Sequence, residues 1–428
     1  MRFFYTLFWI LALPLVLIRL YRRGRKEPGY REHIAERFGI FSALGSKQPV
    51  IWIHAVSVGE TRAAEPLIRQ LVRSWPQHRI LLSHMTPTGR ATGKMLFQNE
   101  IALGTIIQCF LPYDIPVLIR RLLRHFEPLI CILMETEVWP NLIHTCKLQE
   151  IPVTLVNARL SPRSLRKAEL LSALIRPASA AILCVAAQTD ADAQRIRQLG
   201  APLVVVTGNI KFDVSVPAEK VSAGERLRAQ WGTRPVLLCA STREGEEELI
   251  LDAFASASIP NLLLIIVPRH PQRFDQVEQS ILQRGLSAER RTTLGDNDLP
   301  SHVRVVLGDT MGEMISYYVS CDLAFIGGSL LALGGQNLIE ACAVAKPVLI
   351  GPHTFNFDVI SADAIDAGAA QRVADSDQLF QQAGTLFSDA TLRATMGEKA
   401  LAFAEQHRGA TLRTVTLLHE YIPVTAAT

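Results

Sequence analysis

From Pro49 onward, short apolar runs alternate with amphipathic stretches of helical length. The runs Val50–Val56, Arg79–His84, Ile106–Phe110, Leu129–Met134, Val153–Val156, Ala181–Val185 and Leu203–Thr207 predict a first series of strands. After the polar, helical interval Ala218–Trp231, a second series is predicted at Val236–Ala240, Leu262–Val267, Val303–Leu307, Leu323–Ile326 and Val348–Ile350. Strands separated by helix-length segments call for parallel sheets covered by helices on both faces. Two such series predict an α/β protein of two doubly wound, Rossmann-like domains facing a cleft. The final stretch, Leu392 to Tyr421, is helical in pattern and could pack back across the domains.

The N-terminus follows a different pattern. Phe3 to Ile18 is apolar except for Thr6, and Arg19, Arg22, Arg23, Arg25 and Lys26 follow it. The run is slightly short for a spanning helix, which needs about 17–25 residues. Leu20 and Tyr21 lengthen it if Arg19 snorkels. Charge behind the apolar run, with no small-residue cleavage site, predicts a retained membrane anchor and not a signal peptide. Positive-inside reasoning puts the basic flank and the body in the cytoplasm. A helix lying in the interface is the alternative.

The remaining composition is that of a globular enzyme: 428 residues, 49% hydrophobic and 20% charged. A net charge of +4 is too small to argue for a nucleic-acid partner. Seven widely spaced cysteines, with no C-x-x-C pair, read as buried thiols in a reducing compartment. No metal or other cofactor is expected.

Candidate chemistry gathers at the ends of the predicted strands. His54-Ala55-Val56-Ser57-Val58-Gly59-Glu60 closes the first strand and opens a helix, placing Glu60 where open α/β sheets bind ligands. A helix N-terminus favours the charged carboxylate that a general base requires, although Glu60 could equally serve as a cap. Glu135-Thr136-Glu137-Val138-Trp139-Pro140-Asn141 ends another strand, so Glu60 and Glu135 could share one cleft. Thr86-Pro87-Thr88-Gly89 offers a polar lid or an oxyanion-type contact, and Asn157-Ala158-Arg159-Leu160-Ser161 leads into a basic turn with Arg163, Arg166 and Lys167. That turn is either a solvated face or a contact for anionic lipid. In the second series, Gly327-Gly328-Ser329 and Gly334-Gly335-Gln336-Asn337 precede a helix opening at Leu338. Such glycines let a phosphate approach backbone N–H groups and a helix dipole. Glu340 falls in the first turn, within reach of ribose hydroxyls. Arg269-His270 reads as a cation pair, Ser241 lies in the polar turn after Ala240, and Lys211 is a further anion contact. Neither G-x-G-x-x-G nor a P-loop is present. Asp190-Ala191-Asp192 has the form of a D-x-D metal motif but reads as a helix cap.

These motifs, with Gly29-Tyr30-Arg31, Glu36-Arg37-Phe38-Gly39 and Gly208-Asn209-Ile210-Lys211-Phe212-Asp213, resemble the 3-deoxy-D-manno-octulosonic acid (Kdo) transferase family over nearly the whole chain. That family is similar in fold to the two-domain GT-B glycosyltransferases. The resemblance implies inverting transfer of Kdo from CMP-Kdo to the lipid A precursor (lipid IVA) at the cytoplasmic leaflet of the inner membrane. It implies Glu60 as general base and Glu135 as its supporting carboxylate. Donor contacts would come from Lys211, Ser241, Arg269, His270, Gly335, Gln336, Asn337 and Glu340. Acceptor contacts would come from Ser57, Gly59, Thr88, Arg159 and Arg163. The expected organisation is an anchor and basic flank at 1–26, an acceptor-binding domain at 27–215, a CMP-Kdo domain at 216–405 and a C-terminal helix and tail at 406–428. A UDP-sugar 2-epimerase of the same architecture is the rival; the anchor and the Ser-Val-Gly-Glu turn speak against it. A catalytically idle membrane scaffold is a third reading.

Overall fold

The computed structural model describes residues 1–25, 27–43, 48–214, 216–295 and 297–422. Lys26 of the basic flank, Ser215 at the expected domain boundary and the tail beyond Ile422 lie outside the described residues. The chain forms two compact units: Met1–Asp213 together with the segment from Arg408, and Val214–His407.

The first unit holds a seven-stranded parallel sheet in the order β3-β2-β1-β4-β5-β6-β7. Its strands are β1 (Val50–His54), β2 (Arg79–His84), β3 (Ile106–Phe110), β4 (Pro128–Met134), β5 (Val153–Ala158), β6 (Cys184–Ala187) and β7 (Val204–Val206). Every residue of β1 and β5 is buried, as expected for parallel strands covered on both faces, and this explains their unbroken apolar runs. The second unit holds another seven-stranded parallel sheet, in the order β10-β11-β9-β8-β12-β13-β14. Here β8 is Val236–Thr242, β9 Leu263–Pro268, β10 Ala288–Arg290, β11 Val305–Leu307, β12 Leu323–Ile326, β13 Val348–Ile350 and β14 Ala370–Arg372.

Nine helices carry the argument below: α1 (Arg2–Arg23), α2 (Val58–Ser74), α3 (Pro87–Leu96), α4 (Pro116–Phe126), α5 (Pro140–Leu148), α6 (Pro162–Leu170), α7 (Asp190–Gln198), α8 (Glu246–Ser256) and α9 (Ala410–His419). In α2 the apolar positions Ala64, Leu67, Ile68 and Leu71 recur at helical spacing and seal one face of the sheet. Residues from α4, α5 and α7 seal the other.

The sequence pattern misses β10 and β14. Both are three-residue edge strands, Ala-Glu-Arg and Ala-Gln-Arg, with no apolar run to betray them. The strand expected at Ala181–Val185 lies later, at Cys184–Ala187, because Ala181 and Ile182 finish the preceding turn. The C-terminal helical stretch breaks at Gly409, whose φ of 81° reverses the chain. α9 then joins the first unit: Ala410, Val415 and Leu418 enter the core beside α2. Asp213 fixes that return by accepting backbone N–H groups from Gly409 (3.0 Å) and Thr411 (2.7 Å).

α1 is 22 residues long with a mean hydropathy of 2.1, long and apolar enough to cross a membrane. All seven cysteines are buried and unpaired. At α7, Thr189 caps the helix and Asp192 accepts the Leu160 N–H and pairs with Arg195, so the acidic pair there is structural. Glu36 of the Glu-Arg-Phe-Gly motif is likewise structural. It accepts the Phe110 N–H and pairs with Arg90, tying the segment before β1 to the sheet edge.

Candidate functional site

Strand order locates the sites. In the first sheet the chain reverses direction between β1 and β4, and in the second between β8 and β12. Ligands of open α/β sheets bind beyond the strand ends at such reversals. The loop after β1 carries Glu60, and the loop after β4 carries Glu135 and Glu137.

Glu60 occupies the first turn of α2. Its Oε2 accepts the Val56 N–H at 2.7 Å, and its Oε1 accepts the Ser57 hydroxyl at 3.3 Å. The side chain therefore caps its own helix, as the simpler reading of this residue supposed, but with only part of its accepting capacity. Burial pushes its carboxyl above the usual range and the Val56 N–H pulls it back. The charge of Glu135 adds to the rise, and Ser57 and Lys211 oppose it. Gly89, in the first turn of α3, lies under this turn. A methyl group there would come within 3.1 Å of Val56 O and 3.2 Å of Ser57 C.

Glu135 is buried at the end of β4 with φ of 56°. Lys211 Nζ stands 2.7 Å from one of its oxygens and Arg159 Nε 3.4 Å from the other. Lys211 is itself built in. Asn209 accepts the Lys211 N–H, Asn157 accepts the Ile210 N–H, and Gln188 bridges Asn157 and Asn209. Asn157 also sits in left-handed backbone, at φ 52°. Left-handed backbone at two neighbouring strand ends is held by the surrounding structure, which makes these turns a candidate site.

A third carboxylate went unassigned in the sequence reading. Glu137 accepts the Trp139 indole N–H at 2.7 Å, and its carboxyl is pushed up to about 7, first by burial and then by the charges of Glu60 and Glu135. Its position two residues from Glu135 was visible; its packing against Trp139 was not. Beneath the site, His54 and His84 are held neutral by burial, down to about 3 and about 4. Because the Glu60 charge helps Glu137 keep its proton, Glu60→Gln should let Glu137 ionise at lower pH. Following the Glu137 carboxyl by carbon NMR between about pH 5 and 8 checks this; an unmoved titration would disconnect the two groups.

Other expected residues are dispersed. Ser57 precedes α2 and Gly59 is exposed in its first turn. Thr88 is exposed, and it is Thr86 that caps α3 by accepting the Gly89 N–H at 3.1 Å. Arg163, Arg166 and Lys167 lie on the exposed surface of α6. Among the described residues no ion pair joins Arg163 to the carboxylates, so the basic turn does not extend the Glu135 cluster.

In the second unit, Ser241, next to last in β8, has left-handed backbone (φ 56°), and Gly327, just after β12, packs against it. A Cβ on Gly327 would stand 2.6 Å from Ser241 O. Gly328 and Gly335 cross with a hydrogen bond of 2.6 Å, both at positive φ. Asn337 accepts the Ile339 N–H. One expectation needs correction here. The helix after the glycines is one turn, Ile339–Cys342, so backbone N–H groups and not a helix dipole are what this turn offers an anion. Desolvation and the charges of Arg243, Arg269 and Arg273 hold the His270 imidazole below the usual range. Glu340 is half-buried; burial raises its carboxyl and Arg269 opposes the rise.

The anchors of this turn escaped the sequence reading. Glu246, fully buried at the start of α8, accepts N–H groups from Arg243 (2.9 Å), Gly328 (2.5 Å) and Leu330 (2.8 Å). Glu247 accepts the Thr242 hydroxyl and pairs with Arg273 at 3.0 Å, which engages the Arg273 charge. Three consecutive glutamates after Gly245 were the available signal.

Comparison with solved structures supports the fold. The UDP-N-acetylglucosamine 2-epimerase of Neisseria meningitidis, solved with UDP-N-acetylglucosamine, superposes with a TM-score of 0.56 at 16% identity over 87% of this chain and all of that one. Two doubly wound units with polar strand ends at each switch point define a protein of the two-domain GT-B type. A family profile described as 3-deoxy-D-manno-octulosonic-acid transferase (kdotransferase) matches residues 32–214. The 3-deoxy-D-manno-octulosonic acid transferase of Bordetella pertussis is 43% identical over 430 residues, covering 98% of this chain and 99% of that protein. That of Haemophilus influenzae is 37% identical over 429 residues, with 98% and 99% covered. The chain belongs to the Kdo transferase family, and it is a glycosyltransferase.

Proposed function

We propose that the protein moves Kdo from CMP-Kdo to a hydroxyl of the lipid A precursor, lipid IVA, with inversion at the anomeric carbon. The observation that carries this reading is Glu60 at the β1/β4 reversal, within electrostatic reach of Glu135 and Lys211. Glu60 takes the proton of the acceptor hydroxyl as its oxygen attacks the anomeric carbon. The bond to the CMP phosphate breaks, and CMP leaves as the monophosphate. Glu135 positions Lys211, whose charge, with Arg269, offsets the charge developing on the departing phosphate. Ser241, the Gly335–Asn337 turn and His270 hold CMP, and Glu340 receives the ribose. Ser57, Gly59, Thr88, Arg159 and Arg163 serve the acceptor. α1 attaches the protein to the inner membrane with the body in the cytoplasm.

The test is radiolabelled transfer, with CMP-Kdo generated in situ and lipid IVA as acceptor. Label entering the lipid supports the reading, and the product bands count the sugars added. A folded, CMP-binding protein that leaves lipid IVA unlabelled would sink it. Incubation with UDP-N-acetylglucosamine tests the epimerase reading in the same preparation.

Arg269→Ala should weaken CMP binding by about 1.5–3 kcal/mol, the worth of a charge-assisted hydrogen bond, or roughly 10- to 150-fold in Kd. Titration calorimetry with an unaltered Kd would remove Arg269 from the donor site.

A further inference from the structure

We propose that α1 lies in the plane of the cytoplasmic leaflet's interface and does not cross the bilayer; this rests on the membrane attachment proposed above. No residue of the helix is fully buried, but one stripe of it rests on the body of its own unit. Trp9, Leu13, Val16 and Leu20, a single stripe at helical spacing, pack on Tyr113, Ile115 and Leu118. Near its start, the Asn141 amide donates to the Thr6 hydroxyl at 2.9 Å. Near its end, Arg31 donates to Tyr21 O at 2.9 and 3.3 Å and stacks on the Tyr21 ring. The contacts from Thr6 to Tyr21 span roughly 22 Å, most of the thickness of a hydrocarbon core.

A spanning helix fixed in this way would carry the body into the bilayer with it. α4, which supplies Leu118 to the contact, exposes Arg120, Arg121 and Arg124. Loops and such charges are not tolerated facing lipid. The opposite face of α1 is exposed and apolar: Phe3, Phe4, Phe8, Leu11, Leu15 and Ile18. A groove of about 570 Å³ lies at the C-terminal end, with Leu17, Ile18 and Leu20 among its lining and Arg22, Arg25 and Arg31 beside them. One apolar face and a cationic end are what an interfacial helix presents to an anionic lipid surface, the apolar face sinking about 5–10 Å below the headgroups. The occupant of this face is therefore the acyl boundary of one leaflet.

Two variants of the full-length protein, each with one added cysteine, test this, against a background in which all native cysteines are buried. Arg2→Cys is treated with a membrane-impermeant maleimide in intact spheroplasts and after lysis. Labelling only after lysis, with the protein in the membrane fraction, is expected. Labelling in intact spheroplasts would show that α1 crosses the bilayer and overturn the proposal. Leu11→Cys carries bimane in phosphatidylglycerol-containing vesicles with nitroxides at shallow or deep acyl positions. Stronger quenching by the shallow nitroxide is expected, and stronger quenching by the deep one would overturn the proposal. A Leu11→Cys disulfide dimer in membranes without quenching would instead give this face to a second copy of the chain. Recovery of the protein in the soluble fraction would remove membrane attachment itself, and is distinguishable from both.

Discussion

The Glu60→Gln protein is expected to transfer Kdo about 10²–10⁴-fold more slowly than wild type, with donor affinity and folding largely kept. The amide preserves shape and can still accept the Val56 N–H through its oxygen. It cannot take a proton from an acceptor hydroxyl. Opposed forces on Glu60 bear on the result. The Val56 and Ser57 donors favour its charged form, whereas burial and Glu135 disfavour it. The balance is a carboxylate more basic than a solvated one, the direction a general base needs. Single-turnover rates at saturating CMP-Kdo, with CMP affinity from calorimetry, separate loss of the base from loss of the site. Wild-type turnover in this variant would leave Glu60 as a helix cap only. Because Lys211 and Arg159 already engage Glu135, Glu135 is poorly placed to substitute as the base.

Glu246→Ala should destabilise the second unit by about 3–5 kcal/mol, a loss of roughly 10 °C in Tm. Its two oxygens hold three backbone N–H groups from three places in the chain: Arg243, Gly328 and Leu330. All three groups lie at the β8/β12 reversal, and truncation leaves them without this acceptor. Leaving buried donors unsatisfied costs more than their hydrogen bonds contribute on average. Glu246→Gln keeps one acceptor oxygen and should fold, while the turn between Gly328 and Leu330 loosens and CMP binds more weakly. Differential scanning calorimetry and CMP titration of both variants check this. A Glu246→Ala protein melting at the wild-type temperature would show that the three N–H groups find other partners.

The legible parts of the sequence are those governed by local rules. Central strands such as β1, β8 and β12 are buried on both faces, so they must be apolar throughout, and their runs stand out at once. Strand-to-helix turns such as Ser57–Glu60 announce themselves because a period change and a polar cluster coincide. The edge strands β10 and β14 were invisible because a three-residue strand with two polar members has no period to detect.

The order of the strands was a tertiary matter. Helix-length connections require parallel pairing but leave open which strands become neighbours, and only the order 3-2-1-4 places the loops of Glu60 and Glu135 side by side. Long-range partners were equally hidden. Lys211 sits on Glu135 across 76 positions of chain, and Glu246 grips Gly328 across 82. The short helix at Ile339–Cys342 looked longer because four apolar residues at helical spacing precede a turn at Ala345 whose left-handed φ ends it.

By itself, then, the sequence determined the α/β class, the two series of parallel strands, the apolar N-terminal helix and the residues at the strand ends, because composition, period and turn chemistry are local properties. The tertiary structure decided which strand ends meet, that Glu137 joins the carboxylate cluster and that one side of α1 rests on protein. Those outcomes depend on burial and on charges brought together from distant positions, and both exist only once the chain has folded.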